Sequence, residues 1–293
     1  MSSKKNKVLD LMKTEKLVDL FITEEQKSIA LLKKEKNNIT KAIDLITKHM
    51  ERGGRVIYIG AGTSGRIGIL DAVECRPTFS TNSFIGILAG GNSAFFNAKE
   101  GFEDNKKAAV KDLKKLKLTK NDIVIGITAS GETPYTVSAI KYAGKLGLLT
   151  IGITLNPSST LCKSSKIKIS PSINKEIIEG SSRLKSGTLQ KIILNIISSV
   201  TMIKQGKVYD NLMIDVQPSN KKLVKRAIGI ISSICKVPLN EAKSLFIKAG
   251  KNTKIGIIMH KKKCDLITAK ELLKKNKFRL RRVIGNYSGP PLR

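Results

Sequence analysis

Tryptophan is absent, and all aromatic residues together make up 4% of the 293-residue chain. A surface that reads single-stranded nucleic acid by stacking bases on rings is therefore short of its main tool. Carboxylates are scarce as well, 23 against 54 lysines and arginines, for a formal net charge of +31. Such a charge is the footprint of a polyanion binder. Its texture argues otherwise, because lysines outnumber arginines 44 to 10 and are spread through nearly every segment. A lysine-biased composition explains the charge more simply, and specific nucleic-acid binding is not expected. The densest basic stretch, Lys251 to Arg293, sets 13 lysines and arginines against Asp265 and Glu271 and reads as a solvated face.

Cysteine and histidine are equally sparse. Cys75, Cys162, Cys235 and Cys264 form no C-x-x-C pair, and only His49 and His260 could join them. Neither a zinc site nor a disulfide framework follows. Cys75 reads as a small buried residue rather than a nucleophile, since nothing near it in sequence would lower its pKa. No apolar run reaches about 18 residues and no charged-then-apolar leader is present, so neither a membrane span nor secretion is expected. A cytoplasmic location is.

What is present is a globular composition, 41% hydrophobic and 26% charged. Residues 1–52 read as an N-terminal helical segment, with Ile43, Ile46 and Met50 on one stripe. Short apolar runs at 55–59, 84–89, 122–127, 149–154 and 166–169 alternate with helical segments. That alternation is the pattern of a parallel sheet covered on both faces, an α/β body over 53–218. Leu189, Ile192, Ile193, Ile196, Ile197 and Val200 mark a long helix at 181–205, with Ser181 or Ser182 as its cap. From 219 to 293 the glycine turns between strands disappear, which predicts a small helical subdomain and tail.

The sequence IGAGTSGRIGILDAVECRPTF, from Ile59 to Phe79, joins a buried strand to a hydroxyl-rich glycine turn, a helix start and a carboxylate. Such a turn aims free N–H groups and the positive end of a helix dipole at whatever sits above the strand. Thr63 and Ser64 add two hydroxyls suited to phosphate oxygens. The turn also fits G-x-G-x-x-G, a weak pattern alone. A dinucleotide site needs an acidic residue at the end of the second strand, and FIGILA there ends in Gly90, Gly91 and Asn92. The nicotinamide reading fails on that point. A second buried run, DIVIGI, opens into TASGETP, bringing Ser130 and Thr133. The third, LTIGIT, leads to NPSST, which reads as an ordinary Asn-Pro turn. Loops at the carboxyl ends of parallel strands converge, so the first two face one ligand.

Three carboxylates stand in unusual places: Glu74 before Cys75-Arg76-Pro77, Glu103 in EGFEDN, and Glu179 in EIIEGSSRLKSGT. The proline break is expected to end the first helix and turn Glu74 back toward the pocket.

The segments GAGTSGRIGILDAVECRPTF, EGFEDN, ASGETPY, EGSSRLKSGTLQKIILN and GKVYDNLMIDV, in that order, resemble the N-acetylmuramic acid 6-phosphate etherases, bacterial members of the sugar isomerase (SIS) domain superfamily. The likeness runs from about residue 10 to about residue 284. It implies a three-layer SIS-type fold with a central parallel sheet and a small C-terminal helical subdomain. It implies cleavage of the lactyl ether of N-acetylmuramic acid 6-phosphate to N-acetylglucosamine 6-phosphate and D-lactate, with no metal or redox cofactor. By the same likeness Glu74 is the proton donor and Glu103 the second catalytic glutamate, the two exchanging roles between elimination and hydration. Thr63, Ser64, Ser130 and Thr133 then hold the phosphate, while Ser181, Ser182, Arg183 and Lys185 line or brace the pocket. A homodimer with its site completed across the two-fold is implied as well. The alternative the superfamily offers is a non-catalytic sugar-phosphate sensor. One departure stands out: Glu132 replaces the arginine of the family's ASGRTPY, which counts against phosphate affinity unless Arg76, in the place of a usual proline, compensates.

Overall fold

The computed structural model describes residues 8–97 and 101–285. Glu100 of the EGFEDN motif and the tail Asn286 to Arg293 lie outside the described residues. Two helices open the chain, α1 (Thr14–Ala30) and α2 (Lys36–Glu51). The α/β body follows as β1 (Val56–Gly60), α3 (Gly62–Phe79), β2 (Phe84–Leu88), α4 (Ser93–Phe96), α5 (Lys106–Lys115), β3 (Ile123–Ile127), α6 (Pro134–Lys145), β4 (Leu149–Ile153), α7 (Thr160–Ser164), β5 (Ile167–Ile169) and α8 (Lys185–Lys204). It is an α/β fold with five parallel strands in the order β2-β1-β3-β4-β5.

Strands β1, β3 and β4 are buried at every position, as apolar runs covered on both faces must be. Val56, Tyr58, Ile125 and Ile151 pack on one face against Ile39, Ile43 and Ile46 of α2 and Leu189, Ile193 and Ile197 of α8. Ile57, Ile59 and Val124 pack on the other against Ala109 and Leu113 of α5 and Tyr135 and Ile140 of α6. The result is three layers. The base of the sheet is tied by Asp122, which accepts from the Arg55 and Thr119 N–H groups and from the Arg55 guanidinium at 2.7 Å.

Past residue 208 a second apolar core forms among α9 (Lys221–Cys235), α10 (Leu239–Lys248), α11 (Thr253–Lys262), α12 (Leu266–Lys275) and α13 (Leu280–Ile284). Asn220, Asn252 and Asp265 cap α9, α11 and α12, each accepting a backbone N–H three residues on. This unit meets the body at Asp215, whose carboxylate takes Lys254 at 2.8 Å and Lys207 at 2.9 Å while its carbonyl accepts from Ser80.

Two boundaries differ from the sequence reading. Helix α3 runs through Pro77 to Phe79 and ends at Ser80, which adopts φ 49°. The proline sits in the last turn, where Thr78 Oγ1 donates to the Glu74 carbonyl, and the break placed before it does not occur. Helix α8 begins at Lys185 rather than 181, and neither Ser181 nor Ser182 caps it. The cap comes from farther back. Glu176 accepts from the Lys185 and Ser186 N–H groups at 3.1 and 2.9 Å and from Ser186 Oγ at 2.6 Å.

Candidate active site

Strands β1 and β3 are neighbours, yet the chain leaves β1 first for β2 on one side and then for β3 on the other. The crevice at the carboxyl ends of that pair is where open α/β sheets bind ligands. Thr63 and Ser64 stand there on the first turn of α3, Thr63 half-buried and Ser64 buried. Ala61 at the N-cap has no side-chain oxygen, so the first N–H groups of α3 are left to an incoming anion. Gly65 lets strand and helix close up, because a Cβ there would stand 2.6 Å from the Gly60 carbonyl oxygen.

The loop after β3 supplies the opposite wall. Thr128 Oγ1 lies 2.7 Å from Thr133 Oγ1 and 3.4 Å from Ser130 Oγ, and Ser130 accepts from the Glu132 N–H at 3.2 Å. Gly131 sits at φ 74°, and a Cβ on it would come within 2.2 Å of Ser159 Oγ. The turn is thus restricted to glycine by conformation and by space. Thr63, Ser64, Ser130 and Thr133 are all at adjacent strand ends. Strand spacing of about 4.8 Å puts the two loops within reach of one phosphate group.

The Glu132 carboxylate is engaged outside the two hydroxyl loops. Its Oε1 accepts from the Thr160 N–H at 2.8 Å, at the start of α7, and the hydrogen bonds from Thr160 hold its carboxyl below the usual range. The negative charge is spent on a neighbouring helix end. Arg76 cannot compensate within one chain, because it lies 13 positions from Thr63 along α3, about 20 Å at 1.5 Å per residue.

The start of α8 forms the third wall. A methyl on Gly187 would be 3.5 Å from Thr63 Cγ2 and 3.9 Å from the Ser182 carbonyl oxygen, so these segments touch. Ser181 is half-buried, and Ser182 and Arg183 are exposed. Lys185 is buried, its ammonium 3.2 Å from Glu24 of α1. Thr188 donates to Glu25 at 3.3 Å. Three carboxylates, Glu24, Glu25 and Glu176, therefore converge on one helical turn. The sequence reading singled out none of the three; Glu179, which it noted near this segment without assigning it a role, is exposed and pairs with Lys175. A cap nine residues ahead of its helix leaves no local pattern, and the Glu24 contact spans 161 residues.

The two proposed catalytic glutamates are placed very differently. Glu103 lies in a 3-10 turn, Phe102–Asp104, whose Phe102 covers Gly90 beyond the end of β2. It shares the carboxyl edge of the sheet with both hydroxyl loops. Glu74 is exposed, 11 positions beyond Thr63 on the same helix, about 16 Å along its axis at 1.5 Å per residue. Leu70 (44% exposed) and Val73 (61%) flank it. The chain does not bring Glu74 to its own hydroxyl loops.

Behind that surface lies a buried polar link the sequence did not reveal. Tyr58 donates to Asp71 at 3.1 Å, and Lys191 of α8 reaches Asp71 at 3.0 Å. Cys75 beside it is buried, its thiol pushed up to about 12 chiefly by desolvation and then by Asp71. Among the described residues no cluster of three or more His, Cys, Asp or Glu side chains could hold a metal ion, and no helix is long and apolar enough to cross a membrane.

Comparison with known proteins matches this architecture in pieces and as a whole. The N-terminal SIS domain of glucokinase regulatory protein matches residues 38–144, the SIS domain residues 102–198, and the C-terminal lid domain of glucokinase regulatory protein residues 210–255. The chain is 45% identical over 271 residues to an N-acetylmuramic acid 6-phosphate etherase of Clostridium beijerinckii, covering 92% of this chain and 89% of that protein. It is 46% identical over 270 residues to the etherase of Francisella philomiragia, covering 92% of each. Among solved structures, a phosphoheptose isomerase from Francisella tularensis superposes with a TM-score of 0.51 at 19% identity, covering 66% of this chain and 100% of that one. At that identity the likeness speaks for the fold alone.

Proposed function

This chain belongs to the N-acetylmuramic acid 6-phosphate etherase family, and from that premise we propose how its own residues divide the reaction. It is a carbon–oxygen lyase that releases D-lactate from N-acetylmuramic acid 6-phosphate and leaves N-acetylglucosamine 6-phosphate. In the open-chain sugar the C1 aldehyde acidifies the C2 proton. A base removes that proton, the C3–O bond to the lactyl group breaks, and the leaving oxygen takes a proton from an acid. Water then adds its hydroxyl to C3 and a proton to C2. Each half needs a proton carrier on either side of the C2–C3 bond, and a group that has given its proton up can serve as base in the second half.

Thr63, Ser64, Ser130 and Thr133 hold the phosphate. The observation that carries this is their meeting at the β1 and β3 ends, beside the uncapped first turn of α3. Glu103 acts within the same chain on the C2 proton or the water. Glu74 acts as proton donor across a two-fold axis. Positions 63, 70 and 74 differ by 7 and 11, about two and three turns, so Thr63, Leu70 and Glu74 share one stripe of α3. Antiparallel pairing of that stripe with its copy, about an axis near the helix middle, sets Glu74 of the partner subunit opposite Thr63. The exposed Leu70 and Val73 give such a contact an apolar centre. Burial there would also supply the desolvation a carboxylic acid needs to keep its proton. A cytoplasmic location is part of the proposal, supported by four cysteines that are all free thiols.

The test is direct. Purified protein with N-acetylmuramic acid 6-phosphate is assayed for D-lactate, and release that persists undiminished in Glu74→Ala would overturn the assignment of the acid.

A further inference from the structure

The substrate carries two anions, a phosphate on C6 and the lactyl carboxylate on C3, and the cradle described above answers only the first. It is made of hydroxyls and backbone N–H groups. The cations around it are mostly committed. Arg66, on the same turn of α3, donates to the carbonyls of Ala94 at 2.7 Å and Phe95 at 2.9 Å. Lys185 is buried against Glu24, and Lys191 is held by Asp71 and Asn195. Arg183 differs from all three. It is exposed, and among the described residues it forms no salt bridge and no hydrogen bond through its guanidinium.

We propose that Arg183 is the residue that receives the lactyl carboxylate, and so distinguishes a lactyl-bearing sugar phosphate from one without that group. This rests on the etherase reading of the site. Arg183 sits on a segment fixed at both ends: Ser181 N–H donates to the Ile178 carbonyl at 3.1 Å, and Glu176 clamps Lys185 and Ser186. The Ser182 carbonyl and Thr63 flank the same spot beside Gly187, so the backbone that carries Arg183 runs next to the hydroxyl cradle. A planar guanidinium matches a carboxylate with two parallel N–H···O bonds, a fit that the hydroxyl cradle does not offer. Glu176 also blocks the alternative place for a second anion. The first N–H groups of α8, otherwise an anion site, are already taken by its carboxylate.

The experiment measures binding of two sugar phosphates by titration calorimetry in a Glu74→Gln background, so that the ligand is not consumed. Arg183→Met is expected to weaken N-acetylmuramic acid 6-phosphate by about 10- to 100-fold, the range for a charge-assisted pair, and to leave N-acetylglucosamine 6-phosphate within about twofold. Arg183→Lys, which keeps the charge but not the fork, is expected to fall between. A parallel loss for both ligands would make Arg183 a phosphate ligand or a structural residue and overturn the proposal. No loss for either would overturn it equally. In otherwise unsubstituted protein the assay separates the two readings: an Arg183-dependent preference for the lactyl sugar without lactate release sinks the etherase reading and leaves this one standing.

Discussion

The separation of about 16 Å between Thr63 and Glu74 along α3 makes a quantitative prediction about which chain supplies which group. Two variants are each expected to be nearly inactive: the double substitution Thr63→Val with Ser64→Ala, which strips the cradle, and Glu74→Gln, which removes the acid. A missing general acid costs on the order of a hundredfold or more. If every site combines Thr63 of one subunit with Glu74 of the partner subunit, a mixed dimer has one site with both lesions and one site with neither. Random pairing of equal amounts makes about half the dimers mixed, so co-expression is expected to restore about a quarter of full activity. If each site is built within one chain, every site in a mixed dimer carries one lesion, and activity stays at the level of the single variants. Lactate release from the co-expressed pair, measured with sedimentation to confirm dimers, therefore decides the matter. A dimer with no recovery would refute the trans arrangement of α3, and a stable monomer with full activity would refute it more broadly.

Ser130→Ala combined with Thr133→Val is expected to raise KM with a smaller change in kcat, because the proposal sets those hydroxyls on the phosphate and not at C2 or C3; an equal fall in kcat would contradict this. Asp122→Ala is expected to lower stability by about 2–3 kcal/mol, since Arg55, one-third exposed, and the Thr119 N–H lose their charged acceptor. Burial by itself raises the Asp122 carboxyl, but the hydrogen bonds from Arg55 and Thr119 outweigh it and bring it below 3.8. The sign follows: a lowered folded-state pKa gives stability that is present above the unfolded value near 4 and fades as pH falls through the folded one. The melting difference between the parent and Asp122→Asn should therefore shrink below about pH 4. Glu176→Gln should raise KM more than it lowers kcat, and a melting temperature that collapses without any KM effect would make the clamp purely structural.

The sheet was legible because its strands are apolar runs bounded by glycine and polar turns, and β1, β3 and β4 are buried throughout. The hydroxyl loops were legible for a related reason: Thr63, Ser64, Ser130 and Thr133 follow strand ends directly, and parallel strands force those ends together. Pro77 misled because a proline deletes only one helical hydrogen bond, and in the last turn of α3 that loss is small. Ser181 and Ser182 misled because a good cap residue is a local signal, whereas the acceptor used, Glu176, reaches α8 from nine residues ahead. The Tyr58–Asp71–Lys191 link and the Glu24–Lys185 pair join segments that only tertiary structure brings together.

Glu132 is where sequence and structure pull hardest against each other, since the resemblance leads one to expect an arginine where this chain has a carboxylate, in the loop proposed to hold phosphate. An acid aimed into the cradle would repel the ligand, and its removal would tighten binding sharply. The side chain instead accepts from the Thr160 N–H at the start of α7. An exposed carboxylate held away from the ligand acts through water, where salt screens it within about 10 Å at 0.1 M ionic strength. Glu132→Gln is therefore expected to change KM by less than about threefold at low salt and hardly at all at 0.5 M, because an exposed charge acting through high-dielectric solvent contributes little. A tenfold drop in KM that survived high salt would mean that the carboxylate turns into the crevice when substrate binds. A negligible change would mean that this phosphate site works on hydroxyls, N–H groups and the α3 dipole alone, leaving the charged contact to the other end of the sugar.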